Sequence, residues 1–347
     1  MMTPRERVLA VLRGEPADKV PFTIYEYKIP QCAIERQLRN DGLCIVNRRV
    51  SACSSSRPDC TVETQTYSEN GRPRVRTVYR TPVGEVDEIA EPASFTSWIL
   101  QKLFRKPEDY KVLYWLETHT QFAPAYESYA AAEAWMGEDV ILRGGIGLTP
   151  LHQIMIGWMG VETFAVEWYE RRDEILKLEA VMRENRRKVY PLLAESPITH
   201  ANYGGNEVPE VMGPPRFAEF CVPLYNECAE HFRRHGKKLG SHLDGNNAAW
   251  ADLVAGSALD YVEAFTPAPD TDLTLAEALA AWPDKVIWLN FPSSLHLASL
   301  DTIRRTTREF VDLARQTGRV IIGITEDMPE DRWQGNLLAI SEVINQR

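Results

Sequence analysis

Lys238-Leu239-Gly240-Ser241-His242, Tyr261-Val262-Glu263-Ala264-Phe265, Val286-Ile287-Trp288-Leu289-Asn290 and Val320-Ile321-Ile322-Gly323-Ile324-Thr325 are short runs rich in β-branched and aromatic residues. Each reads as a buried strand, because such side chains suit a pleated surface and the runs are too short and too apolar for surface helices. Helical segments lie between most of them. Working toward the N-terminus, Ile198-Thr199-His200-Ala201-Asn202 and Val140-Ile141-Leu142-Arg143 repeat the strand pattern. Three sets recur at three-and-four spacing: Ile175, Leu178, Met182, Val189 and Leu192; Phe217, Cys221, Leu224 and Cys228; and Trp333, Leu337, Ile340 and Ile344. Alternating strand and helix predicts a parallel sheet covered on both faces. With Val20-Pro21-Phe22-Thr23-Ile24-Tyr25-Glu26-Tyr27 there are seven such runs. An eighth has no assigned position, and the set favours a closed (β/α)8 TIM barrel over an open sheet.

Two further segments frame the barrel. Thr3-Pro4-Arg5-Glu6 carries a helix start, in which the Thr hydroxyl and the Glu carboxylate satisfy each other's backbone N–H and Pro4 occupies the first turn. Residues 61–90 alternate polar and apolar around Asn70-Gly71, predicting a β-hairpin inserted into the N-terminal part of one domain spanning 1–347. No Ser/Gly-rich linker flanks it.

The 347 residues contain 44% hydrophobic and 25% charged side chains, so a sizeable core is available and general disorder is excluded. A net charge of -10 argues against nucleic acid or anionic lipid and favours a small-molecule or protein partner. No apolar run approaches the ~20 residues that span a bilayer, and the first residues lack a signal peptide's apolar core, so the expected location is cytoplasmic. The six cysteines form no C-x-x-C pair, which predicts free thiols. Neither G-x-G-x-x-G nor a P-loop motif follows any strand.

In such a barrel, chemistry comes from the C-terminal ends of the strands. Those ends present Tyr25-Glu26-Tyr27, Arg143, Asn206-Glu207, His242 and Asp244, Asn246, Glu263, Asn290 and Glu326. His242 and Asp244 alternate along one extended segment, where an imidazole and a carboxylate can bind a divalent ion or act as an acid/base pair. Glu207, Glu263 and Glu326 are available to complete a metal site. Each also has a plain structural reading: Asp244 opening an Asx-turn before Gly245, His242 donating to a carbonyl, the glutamates as solvated rim charges. Tyr25, Tyr27, Tyr203, Phe265 and Phe291, with Trp135 and Trp158 in nearby segments, suit a flat ligand's pocket or an ordinary barrel core, whereas Trp288, inside a strand, is expected in the core.

The opening Thr3-Pro4-Arg5-Glu6-Arg7-Val8-Leu9, the run Gly14-Glu15-Pro16-Ala17-Asp18-Lys19-Val20-Pro21, the segment Thr81-Pro82-Val83-Gly84, and Met212-Gly213-Pro214-Pro215-Arg216-Phe217 through Lys238 resemble the uroporphyrinogen decarboxylase superfamily. The resemblance is strongest to its cobamide-dependent methyltransferase branch. It implies a (β/α)8 barrel, a corrinoid (cobamide) on a partner protein, and a homodimer, with zinc and tetrahydrofolate as further candidate cofactors. The decarboxylases carry an arginine-rich early motif that grips carboxylates. Here that stretch reads Phe22-Thr23-Ile24-Tyr25-Glu26-Tyr27-Lys28, which disfavours a poly-anionic tetrapyrrole. The thiol-directed methyltransferases carry H-x-C and a later Cys for zinc. This chain reads His242-Leu243-Asp244 with no Cys beyond Cys228, so a thiol acceptor loses its support.

The leading expectation is therefore a methyltransferase moving a methyl group between a small donor (ether or phenol ether, amine or tetrahydrofolate) and a corrinoid protein. Its catalytic residues are His242, Asp244 and Glu207, its metal ligands His242, Asp244 and Glu263, and its substrate-binding residues Tyr25, Glu26, Tyr27, Asn206, Asn246, Asn290 and Glu326. The alternatives are a decarboxylase of uroporphyrinogen or another carboxylated molecule, and a non-catalytic ligand- or corrinoid-binding subunit.

Overall fold

A computed structural model describes residues 1–93 and 97–346. Within these, the chain divides into two compact units: Met1–Ala52, Ala125–Gly147 and Leu193–Arg347 form the first, and Cys53–Pro124 with Leu148–Leu192 the second.

The first unit is the barrel. Its sheet runs Gly144–Gly147, His200–Tyr203, Lys238–His242, Tyr261–Phe265, Val286–Asn290, Val320–Ile324, Phe22–Tyr25, Leu43–Asn47, Val140–Leu142, with every neighbouring pair parallel. The two strands at the ends of that order are consecutive in sequence, separated only by Arg143. They are the halves of one broken strand, so nine segments make an eight-stranded ring whose seam is Arg143. The Arg143 N–H still donates to Asn47 O at 2.9 Å, keeping the seam tied to the preceding strand. All seven expected runs form strands, and the missing eighth is Leu43-Cys44-Ile45-Val46-Asn47.

The N-terminal helix Pro4–Arg13 begins as its sequence predicts: the Thr3 hydroxyl accepts from the Glu6 N–H and Glu6 reaches back to the Thr3 N–H. Its Val8, Val11 and Leu12 pack with Tyr25, Cys44, Val46, Ile141, Tyr261, Val286, Trp288 and Ile321 in one apolar cluster. Trp288 is core as expected, with its indole N–H donated to Thr23 Oγ1 at 2.8 Å. Burying these rings and branched chains supplies the barrel's main stabilisation, at roughly 1.5–3 kcal/mol for each large side chain.

The second unit contains the Asn70-Gly71 hairpin within a larger sheet. Thr61–Glu69, Arg72–Thr81, Gly84–Pro92 and Ser97–Gln101 form four antiparallel strands in sequence order. Asn70 and Gly71 both have positive φ (52° and 77°), the backbone that a tight two-residue hairpin turn demands. In the same unit Tyr110 donates to Glu167 at 3.0 Å and Asn185 to the Glu117 carboxylate at 2.8 Å. No helix of the described residues is long and apolar enough to cross a membrane.

Candidate functional site

The site is built around Glu263, which sits in its strand directly beside His242 in register. After Glu263 the ladder shifts register and Ala264 adopts a left-handed backbone (φ 59°), a bulge of the kind that re-aims a side chain near a strand end. The Glu263 carboxylate is fully buried and accepts four donors. Tyr25 Oη (2.7 Å) and Arg143 Nη1 (2.5 Å) reach Oε1; Asn202 Nδ2 (2.6 Å) and His242 Nδ1 (3.0 Å) reach Oε2. Tyr261 Oη donates to Asn202 Oδ1 at 2.6 Å, fixing that amide's orientation. The seam of the barrel thus delivers its arginine to a fully buried carboxylate.

With Nδ1 held by Glu263, the His242 ring turns Nε2 outward to Asp244 Oδ1 at 3.1 Å. Glu326, at the end of the last strand, joins them: one ligand atom each from His242, Asp244 and Glu326 lie within 4.8 Å of one another. The charges couple strongly. Burial alone would push the His242 imidazole down, but hydrogen bonds and attraction from Asp244 and Glu263 outweigh it and lift its pKa to about 9. Burial would likewise raise Glu263, yet Arg143 and the His242 hydrogen bond hold it well below the usual carboxylate range. Tyr25 is driven up by burial and by the Glu263 charge, so it stays a phenol and a donor. Glu326 is pushed above the ordinary range by desolvation and by the Asp244 carboxylate.

The other expected site residues fall into separate places. Glu207 is fully buried, its carboxylate accepts from the Gly205 N–H at 2.6 Å and its backbone forms a β-bridge with Leu243; it braces the Gly204-Gly205 turn. Asn206 is exposed, with a left-handed backbone whose N–H donates to His242 O at 3.0 Å. Asn246 donates to Glu210 at 2.7 Å at the surface. Asn290 spans two loops, donating to Thr266 Oγ1 (3.1 Å) and accepting from the Thr325 N–H (2.9 Å), which sets the strand end that carries Glu326. Glu26 pairs with Arg49 at 2.8 Å, and the Tyr27 hydroxyl accepts from Arg48.

Glu263, grouped with His242 and Asp244 as a metal ligand in the sequence reading, has its acceptor positions filled, whereas Glu326, named there both as able to complete a metal site and as a pocket residue, stands with His242 and Asp244. Arg143 was named among the strand ends but given no role, and Arg48 was not named at all. Arg143 is visible as a charged residue interrupting a strand run before Gly144-Gly145; Arg48 follows the strand that escaped recognition, and its signal was lost with it.

No family model matches the chain, and no curated protein does. Among solved structures, a methyltransferase from Methanosarcina mazei is similar over 99% of this chain and 98% of that one, with a TM-score of 0.57 and 13% identity. The likeness is one of fold. It agrees with the barrel implied by the sequence resemblance and does not by itself establish the superfamily. Two structures of the pneumococcal exo-β-D-N-acetylglucosaminidase StrH cover 97% of this chain at TM-scores of 0.38 and 0.39 and identities of 9% and 10%; they carry no argument here.

Proposed function

We propose that the chain is a methyltransferase that moves a methyl group between a small donor and a corrinoid held by a partner protein. The observation carrying this reading is the convergence of His242, Asp244 and Glu326 at the strand ends, over an imidazole whose rear nitrogen is fixed by a buried carboxylate. The whole-length fold likeness to a methyltransferase adds support.

In such a transfer the donor's carbon–heteroatom bond breaks toward the heteroatom, whose developing negative charge is the protein's problem to solve. His242 is suited to it. Lifted to about 9, it holds a proton at neutral pH, with Glu263 fixing one ring nitrogen and the other directed to Asp244 at the site. One imidazole and two carboxylates also fit zinc as a hard nitrogen/oxygen donor set, and Glu263 behind the ring matches the outer carboxylate that commonly orients a metal-bound histidine. His242, Asp244 and Glu326 would hold that ion, which when bound supplies Lewis acidity toward the donor's heteroatom.

Uroporphyrinogen decarboxylation needs several guanidinium groups for several carboxylates. Arg49 and Arg143 are already paired, with Glu26 and Glu263.

The test combines purified protein, reduced corrinoid and a panel of methyl ethers, methylamines and methyl-tetrahydrofolate, read by the cobalt absorption spectrum. Conversion by wild type and its loss in His242→Ala support the reading; a spectrum unchanged by every donor refutes it. Metal analysis decides between the two forms of acid assistance. Stoichiometric zinc in wild type, lost in Glu326→Gln and His242→Ala, supports the metal; zinc absent from all three leaves His242 as the acid.

A further inference from the structure

Arg48 stands apart from the other arginines around this site. Arg143 and Arg49 each meet a carboxylate, but among the described residues the half-buried Arg48 guanidinium has no carboxylate within ion-pair distance: its polar partner is the Tyr27 hydroxyl, and its buried Nε has no hydrogen-bond partner there. It lies flat against Tyr25, its central carbon 3.6 Å from the ring centroid, with Tyr27's ring centroid 5.1 Å away. A tyrosine face stabilises a cation only weakly, well short of what a charged carboxylate partner gives in a shielded position. Glu26, an acid whose titration it influences, is engaged by Arg49.

Position gives this lone cation its meaning. The far end of the same Tyr25 ring carries the hydroxyl that bonds Glu263 and lies 3.2 Å from His242 Nδ1. One phenol ring therefore separates the Arg48 guanidinium from the His242 centre. Glu26, Asp244 and Glu326 make the strand ends acidic, and the neighbouring cations Arg49, Arg143 and His242 each already face a carboxylate, which leaves Arg48 as the cation open to an incoming anion. A single planar fork matches a single carboxylate, and a dianion or poly-acid would meet uncompensated repulsion.

We infer that Arg48 is a specificity residue that binds the carboxylate of a small monocarboxylic substrate, placing the rest of that molecule across Tyr25 toward His242. The inference rests on the methyl-donor reading for the identity of the reacting group and on the geometry of Arg48 for the anion. Its substrate class is a methylated small acid, with the methyl-bearing heteroatom separated from the carboxylate by a short chain or one ring.

The probes are two pairs that differ only in charge: 4-methoxybenzoate against 4-methoxybenzamide, and methoxyacetate against methoxyacetamide, measured by calorimetric titration of the whole protein without corrinoid. At least one acid should bind about tenfold more tightly than its amide, as a charge-assisted fork contact requires. That preference should fall to within about twofold in Arg48→Met and persist in part in Arg48→Lys. The wild-type comparison needs no variant and so stands even if Arg48→Met folds poorly. Acids that bind no better than their amides, or a preference unchanged in a folded Arg48→Met, overturn the inference. Selective acid binding without methylation of added corrinoid would leave the anion site standing and count against the methyltransferase reading alone.

Discussion

Arg143→Met removes a guanidinium from a position where its side chain is 10% exposed, and leaves the fully buried Glu263 carboxylate without that partner. Breaking one side of a buried pair costs about 3–5 kcal/mol, because the surviving charge remains desolvated. Tyr25, Asn202 and His242 still donate to Glu263, so the loss belongs at the lower end, about 3 kcal/mol. At about 2.1 cal/mol/K per residue, 347 residues melt with an entropy of roughly 0.7 kcal/mol/K, and the shift in Tm is about 4 °C downward. Glu263→Gln should cost a similar amount by stranding Arg143. The double variant removes both charges and should lose less than the sum of the two, with a coupling of about 2 kcal/mol. Calorimetric and circular-dichroism melts of the four proteins at one pH make the measurement. Single variants within about 1 °C of wild type, or strictly additive losses, would show that the seam arginine is not what stabilises the buried carboxylate.

A side chain at Gly240 would put its Cβ 2.2–2.4 Å from the Tyr261 ring, which is itself tied to Asn202, so Gly240→Ala should cost about 3 kcal/mol or abolish soluble expression; an unchanged melt would contradict the packing described. His296 is buried and its pKa falls to about 4, so the unfolded chain binds a proton that the folded one refuses. The stability it contributes is intact above about 6.5 and is lost as pH drops toward 4, by up to about 3 kcal/mol, and His296→Asn should flatten that part of the stability profile. Thr3→Ala removes the hydroxyl that accepts from the Glu6 N–H in the N-terminal capping box, while the Thr3 N–H bond to the Glu6 carboxylate survives; it should lower stability by about 1 kcal/mol in urea titration, whereas Thr3→Ser should not.

The barrel was legible because its strands are buried on both faces and therefore read as continuous apolar runs, a signal that needs no partner to be seen. Leu43-Cys44-Ile45-Val46-Asn47 carries the same signal, but it lies between Asp41-Gly42 and a pair of arginines, away from the alternating rhythm that located the others. The hairpin was legible for a local reason too, the Asn-Gly turn chemistry; its two further strands carry no turn signal of that strength. His242 and Asp244 could be paired in advance because two residues apart on an extended chain share a side. Glu326 could be named but not placed beside them, since its distance from His242 depends on how far the sheet curves, and curvature is a property of the closed ring.

Arg143 shows why the remainder was hidden. In sequence it is a charge ending a three-residue apolar run, which reads as the exit from a strand. In the ring it is the point where two sheet edges become one, and there an inward-facing cation is tolerable only if a buried anion meets it. Glu263 is that anion, and the same carboxylate holds the His242 imidazole. Closing the barrel and orienting the histidine are therefore one energetic event. If this is so, substitutions at the seam should alter the environment of the His242 ring even though Arg143 does not touch it: the ring-proton resonances of His242 should shift in Arg143→Met and stay in place in Thr3→Ala, a variant of comparable or smaller stability cost on the same unit. Unmoved His242 resonances in a folded Arg143→Met would separate closure from orientation and reduce Glu263 to a buried structural anion.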